Sequence, residues 1–108
     1  MTVFYTRHAQ SDLQGIYEYI AYVLASSIAA KATTRRIMQG VRSLESMPER
    51  NPLYKDEPWR SQGVRVLSVK NYLIFYTVNK AADTVAVARI IYGGRDLSLQ
   101  LEETSEWE

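Results

Sequence analysis

The sequence predicts an α+β domain: two antiparallel N-terminal helices packed on a three- to four-stranded antiparallel sheet. Three observations predict it. Residues 9–25 place apolar side chains at helical spacing, and a second such stretch runs from about Ile28 to Met47. Three runs rich in β-branched and aromatic residues then follow between residues 64 and 91, separated by short turns. The chain has 108 residues, a size that fills one core: area scaling gives roughly 6,000 Å² exposed when folded against roughly 18,000 Å² unfolded. A single domain over residues 1–101 and a short acidic C-terminal tail over 102–108 are expected.

Val3 to Thr6 reads as a short strand, and an edge of the sheet is its natural place. In the first helix Ala9, Leu13, Ile16, Ile20, Val23 and Leu24 fall on one face, with Tyr17 beside it. Gly15 lies off that face and costs about 1 kcal/mol of helix propensity. Ser26 or Ser27 can cap the second helix. Its face is Ala30, Ile37, Val41 and Leu44, with Met47 near the edge, and Pro48 is expected to end it. Residues 48–62 read as a loop, because prolines at 48, 52 and 58 forbid a helix. Leu53 and Trp59 are expected to pin that loop to the body.

In the sheet, Lys70-Asn71 reads as a hairpin turn. Tyr72 to Val78 is apolar on both faces, as in a strand covered on both sides. Asn79 to Asp83 is a looser loop, Thr84 to Ile91 the next strand, and Gly93-Gly94 its end. Those glycines allow positive φ or close approach of another backbone. Asp96 can cap a last turn carrying Leu97 and Leu101. The end beyond Leu101 is expected to fray.

Composition excludes several chemistries. Cysteine is absent, so disulfides and thiolate catalysis are out. His8 is the one histidine and reads as structural. Neither a metal site nor a cofactor is expected, and no apolar run is long enough to cross a bilayer. A cytoplasmic location is the default. The near-neutral total of 13 basic and 12 acidic residues hides a split, because four of the acids lie in the last seven positions. Residues 1–101 carry 13 basic and 8 acidic groups, a net +5. Nine of the basic residues are arginine, which suits bidentate contact with phosphate or carboxylate.

Arg65 alternates with Leu67 and Val69, and Arg89 with Val85, Val87 and Ile91. Each must reach solvent, an internal carboxylate or a ligand, since a lone buried guanidinium costs several kcal/mol. Arg95 leaves the glycine turn after Tyr92, free to meet Asp96 or an anion. Arg65, Arg89 and Arg95 are expected to share one wettable patch at the rim of the sheet, with Tyr92 as a proton donor beside it. Tyr19 and Tyr22 lie off the core face of the first helix and suit an interface.

These residues also carry a resemblance. Gly63-Val64-Arg65-Val66, Asn71-Tyr72-Leu73-Ile74-Phe75-Tyr76-Thr77-Val78 and Val87-Ala88-Arg89-Ile90-Ile91-Tyr92-Gly93-Gly94-Arg95-Asp96 resemble the RelE/ParE toxin superfamily. Ala9, Asp12-Leu13, Ile16 and Tyr19-Ile20 are similar to its first helix, and Ala32, Ile37, Leu44 and Pro48 to its second. The resemblance implies the toxin of a type II toxin–antitoxin module, neutralised by a cognate antitoxin, with a toxin–antitoxin heterotetramer as one assembly it allows. It also implies growth inhibition and plasmid stabilisation as the setting.

RelE-like members cut mRNA on the ribosome with basic and tyrosine side chains, whereas ParE-like members poison DNA gyrase. Leu73 and Leu67 stand where the RNA-cutting branch often carries arginine and lysine, so the resemblance favours the ParE-like branch and gyrase. In that reading Arg65, Arg89 and Arg95 bind the target, and Tyr19 and Tyr22 bind the antitoxin. A ribosome-dependent mRNA endoribonuclease using Arg65, Arg89, Tyr92 and Arg95 as catalytic groups is the alternative. A binding protein that has kept the scaffold without toxicity is a further one.

Overall fold

The structure, a computed structural model, describes residues 1–94 and 96–104. The expected frayed end therefore lies partly outside the described residues, at 105–108. Strand β1 (Thr2–Tyr5) leads into helix α1 (Arg7–Glu18), which continues as a π-helical turn over Tyr19–Val23. Helix α2 spans Ser27–Ser43. Strands β2 (Arg65–Val69), β3 (Tyr72–Asn79) and β4 (Thr84–Tyr92) form the expected meander, and a short helix α3 (Leu97–Glu102) follows. The sheet order is β1-β4-β3-β2. β1 takes an edge, as expected, but pairs with β4 in parallel, so the sheet is mixed. Nothing local in either segment encodes that orientation.

α1 and α2 cover one face of the sheet. Ala9, Ile37, Val41 and Leu44 meet Ile74, Tyr76, Val85, Val87 and Ile90 there. The other face is closed by the 48–64 loop and α3, where Tyr54, Trp59 and Leu101 pack on Phe75 and Ile91. Ile74, Phe75 and Tyr76 are therefore consecutive and fully buried, because successive side chains enter opposite cores. Trp59 pins the loop as expected. Tyr54 joins it edge-on to both Trp59 and Phe75, while Leu53 contributes a backbone bridge to Arg65.

Caps follow the sequence closely. Thr6 Oγ1 accepts from the amide of Ala9 and donates to the carbonyl of Ala88, tying the start of α1 to β4. Ser26 caps α2 through the amide of Ala29. Asp96 caps α3 through the amide of Leu99. Three local expectations are corrected. α2 ends at Ser43 rather than at Pro48, which instead opens a 3₁₀ turn over Pro48–Arg50. Val23 and Leu24 are exposed rather than in the core. The π turn, closed by the Leu24 amide on the Tyr19 carbonyl, inserts one residue and rotates the rest of the helical run off the apolar face. Finally, Gly63 is the described glycine with positive φ, at 80°. The other expectation of the glycine pair, close approach of another backbone, holds at Gly93, where a Cβ would stand 3.3 Å from the Asn71 carbonyl; one on Gly94 would stand 2.7 Å from the Tyr92 ring.

Gly40 and Gly15 make opposite predictions. A Cβ on Gly40 would lie 2.7 Å from Val69 Cγ2, where α2 crosses β2, whereas one on Gly15 would meet nothing within 4 Å. Gly15→Ala is expected to raise stability by about 0.5–1 kcal/mol through helix propensity. Gly40→Ala should lower it by about 1 kcal/mol, because overpacking of about 1–3 kcal/mol outweighs the same propensity gain. Urea unfolding of the two variants checks both signs.

Candidate functional site

A β-bulge decides where the sheet arginines go. The register between β3 and β4 pairs Phe75 with Arg89 but Tyr76 with Val87, leaving Ala88 extra. Without that residue Arg89 would share a face with Val85 and Val87. With it, Val87 and Ile90 face the helices, and Arg89 moves to the side of Phe75 and Ile91. Arg65 pairs with Tyr76 and so stands on the helix face. The two arginines leave opposite faces of the sheet, and the shared patch expected of them does not form. Arg95, its third expected member, lies outside the described residues.

Arg89 is 5% exposed, and all five of its N–H donors are used. Nε donates to Asp12 Oδ2 at 2.8 Å, and Nη2 to Asp12 Oδ1 and Gln100 Oε1 at 3.1 Å each. Nη1 donates to the Gln100 carbonyl at 2.8 Å and to Thr104 Oγ1 at 3.1 Å. Asp12 Oδ2 also accepts the amide of Ile90 at 2.9 Å. β1 ends opposite Val87, so this carboxylate fills the place on the β4 edge that a longer strand would take. One ion pair thus joins α1, β4 and α3. A guanidinium so committed has no donor left for a phosphate or an external carboxylate. Arg89, expected to bind the target or take part in catalysis, is instead found buried and engaged within the chain. The signal for it was in the sequence: Asp12 stands one turn before Ile16 on the first helix, a single acid beside an apolar face.

Arg65 is also turned inward. Its Nη1 donates to the carbonyls of Glu49 at 3.1 Å and Asn51 at 2.7 Å, and Nη2 lies 3.8 Å from the Glu49 carboxylate. It anchors the start of the 48–64 loop. Tyr76 anchors the same place from the core, donating its hydroxyl to the carbonyl of Pro48 and accepting from the Asn51 side chain at 3.0 Å. Burial raises the Tyr76 pKa above 10.0, against smaller lowering by Asn51 and by the charge of Arg65.

The remaining groups gather at the end of the sheet and the tip of the helical hairpin. An inner groove of about 1010 Å³ runs between them, lined among others by Ile16, Tyr19, Leu24, Arg36, Lys70 and Tyr92. Tyr92 is 46% exposed and meets Tyr72 edge-on at 5.7 Å between ring centres. At the hairpin tip Tyr19, Tyr22, Val23, Leu24 and Ile28 are all exposed, Tyr22 at 76% and Ile28 at 83%. Tyr19 and Tyr22 thus lie where the periodicity puts them, off the core. The three aliphatic neighbours were missed, since the π turn that exposes Val23 and Leu24 leaves no mark in the apolar spacing. No group of three metal-ligating side chains occurs among the described residues. No helix among them is long and apolar enough to cross a membrane.

Removing either member of the Asp12–Arg89 pair strands a buried charge. Asp12→Ala and Arg89→Ala are each expected to cost about 3–5 kcal/mol. The double variant should cost less than the two single losses added together, in a double-mutant cycle read by chemical denaturation. Tyr76 gives a pH dependence. Its raised folded pKa means that the unfolded chain ionises first, so its contribution is intact below about pH 10 and is lost as pH rises through the folded value. Tyr76→Phe should be less stable at pH 7 by about 1 kcal/mol or more, and its stability should fall less steeply on the alkaline side.

Comparison with known proteins agrees with this architecture. A family model described as the ParE toxin of the type II toxin–antitoxin system parDE matches residues 3–97. No curated protein matches. Among solved structures the chain is similar to one from the chromosomal ParDE toxin–antitoxin system of P. aeruginosa. The TM-score is 0.70 at 24% identity, covering 85% of this chain and 95% of that one. It is also similar to a chain of the RelBE2 toxin–antitoxin complex of Mycobacterium tuberculosis, with a TM-score of 0.60 at 18% identity, covering 84% and 95%. At these identities the two structures speak for the fold, and the family model speaks for descent. The chain belongs to the ParE toxin family, within the RelE/ParE toxin superfamily.

Proposed function

We propose that the protein is the toxin of a type II toxin–antitoxin module, acting on a protein target, DNA gyrase, and neutralised by an antitoxin. One observation carries the choice of target. Both strand arginines of the described sheet are engaged internally, Arg89 by Asp12 and α3, and Arg65 by Glu49 and Asn51. The positions where RNA-cutting relatives carry cations hold Leu67 and Leu73. Cleavage of RNA by in-line attack needs a charge clamp on the scissile phosphate together with an acid and a base. Arg65 and Arg89 are poorly placed to supply that clamp. In the inner groove Tyr92, Lys70 and Arg36 stand where they can meet a target.

The antitoxin is assigned to the hairpin tip and the inner groove. Exposed aromatic and aliphatic side chains at Tyr19, Tyr22, Val23, Leu24 and Ile28 fit the apolar face of a segment that folds on binding. The net +5 of residues 1–101 favours an acidic one.

Purified gyrase, DNA and ATP test the target: the chain should raise gyrase-dependent DNA breakage and leave mRNA on translating ribosomes uncut. Site-specific cuts in that mRNA without gyrase breakage would overturn the gyrase reading for the ribonuclease one. Inertness in both assays, with growth unaffected on induction, would leave a binding protein without toxicity. For the antitoxin, the product of the adjoining reading frame is expected to bind, and Tyr22→Ala or Tyr19→Ala should weaken it about tenfold, or about 1.4 kcal/mol. Calorimetric titration reads that loss.

A further inference from the structure

Helix α2 turns Ala30, Ile37 and Val41 into the core, and its opposite side meets solvent. Lys31, Arg35, Arg36 and Arg42 are all exposed there. At 100° per residue Lys31, Arg35 and Arg42 fall within about 40° of one another, a single row about 16 Å long at 1.5 Å per residue. Arg36 stands about 100° round from Arg35, on the flank that borders the inner groove. Ala32 and Gln39, also exposed, lie between the row and that flank.

The charge of this face is uncompensated. None of the four cations is in an ion pair among the described residues. No acidic residue occurs between Glu18 and Glu45. Glu18 belongs to α1 and is held by the Gln14 side chain at 2.9 Å, and Glu45 lies beyond the end of α2. Elsewhere arginine serves the fold: Arg65 and Arg89 as described, and Arg50 by donating to the carbonyls of Ser43, Ser46 and Met47 behind α2. That use does not extend to the solvent face of α2.

The surroundings of the cations narrow the class of anion. Between the row and its flank no apolar side chain is larger than alanine, so an amphipathic protein segment would find nothing to bury. Met38 lies on the other side of the row, toward α1. α2 also carries no aromatic residue, so unpaired bases would find no ring to stack on. A duplex needs neither feature. Its outer surface is phosphate, one charge per about 1.7 Å of axis, and cations on a helix suffice to bind it.

We propose that the solvent face of α2 binds the phosphate backbone of duplex DNA without reading its sequence. Lys31, Arg35 and Arg42 meet phosphates along the row, and Arg36 adds a contact from the flank. Contacts of this kind position a protein on a duplex and carry no base information. The choice of DNA over duplex RNA rests on the gyrase reading, because that enzyme acts on DNA; the charge of the face does not depend on it. Contact with DNA held by the enzyme then adds to contact with the enzyme itself.

The test uses the full chain, without gyrase, and a fluorescein-labelled DNA duplex of mixed sequence, about 20 base pairs or two helical turns, read by anisotropy over a series of salt concentrations. The duplex is expected to bind, with log affinity falling against log salt at a slope of about −3 for three to four phosphates. Arg35→Gln and Arg42→Gln, both surface changes, should each weaken binding about fivefold at low salt and reduce that slope by about 1, with the circular dichroism spectrum unchanged. Lys55→Gln, the same loss of charge in the 48–64 loop, should leave both as they were. The proposal is overturned by absence of binding at low salt, by a slope that the α2 variants leave unchanged, or by equal loss in Lys55→Gln. Equal binding of duplex RNA would overturn the choice of DNA, tighter binding of the separated strand would overturn it in favour of unpaired bases, and equal binding of polyglutamate in favour of an acidic protein. The gyrase reading fails separately: DNA binding without gyrase-dependent breakage overturns that target alone, and breakage without DNA binding overturns this proposal alone.

Discussion

One inserted residue in β4 sets the terms for the rest of this molecule. The bulge at Ala88 turns Arg89 away from the helix-side core and toward the edge that β1 leaves uncovered. There a bidentate carboxylate from α1 meets it, and Gln100 of α3 and Thr104 just beyond that helix supply the remaining acceptors. The desolvation of such a pair is several kcal/mol per ion, and Coulomb attraction offsets it only when the geometry and the leftover donors are both satisfied. Here they are: no buried side-chain nitrogen or oxygen lacks a partner among the described residues. The same carboxylate accepts the Ile90 amide, so the pair also closes a strand edge that would otherwise invite a foreign strand. Helix, sheet edge and C-terminal turn are held by a single side chain.

The features legible in the sequence are those set by local interactions. Apolar spacing located both helices, because the period of 3.6 is imposed within a few residues. Three runs of β-branched and aromatic residues located the meander, and Asp96 and Ser26 announced the helix starts they cap. The missing parts are those where the deciding contact lies far away in the chain or in a subtle change of backbone. A bulge shifts the period of a strand by one residue without altering its composition, so the alternation of Arg89 with Val85 and Val87 pointed to the wrong face. The π turn does the same to α1, and Val23 and Leu24 changed from core to surface. The parallel pairing of β1 with β4 joins segments about eighty residues apart and has no local signature. Gly93 and Gly94 show a milder version of this: the need for glycine was readable, but its reason, the ring of Tyr92 and the carbonyl of Asn71 beside the backbone, depends on a neighbouring strand end.

The candidate site was half legible for the same reason. Tyr19 and Tyr22 required only the helical period, and they are exposed. Arg65 and Arg89 required knowledge of what would be near them, and each found a partner from an element distant in sequence: Glu49 and Asn51 for one, Asp12 and α3 for the other. An arginine in an apolar row reports that something polar must meet it. It does not report whether that partner belongs to the same chain.

The division of labour among the cations then has a consequence for mechanism. Catalysis of phosphoryl chemistry depends on preorganised charge aimed at a developing oxyanion, held in place by the fold. In this protein Arg89 is saturated by internal acceptors, and Arg65 is engaged by the carbonyls of Glu49 and Asn51. Lys31, Arg35 and Arg42, without an ion pair among the described residues, sit on flexible side chains at the rim of an exposed helix. Long, solvated cations of that kind speed encounter and help select an acidic partner, but they stabilise a transition state poorly. Exposed aromatic and aliphatic side chains at the hairpin tip supply the matching apolar contact. A helical hairpin that is apolar at its tip and cationic along its outer face is equipped for recognition, and the sheet beneath it serves to hold it rigid. That physical character supports the proposed reading, in which recognition of another protein rather than RNA cleavage is the action.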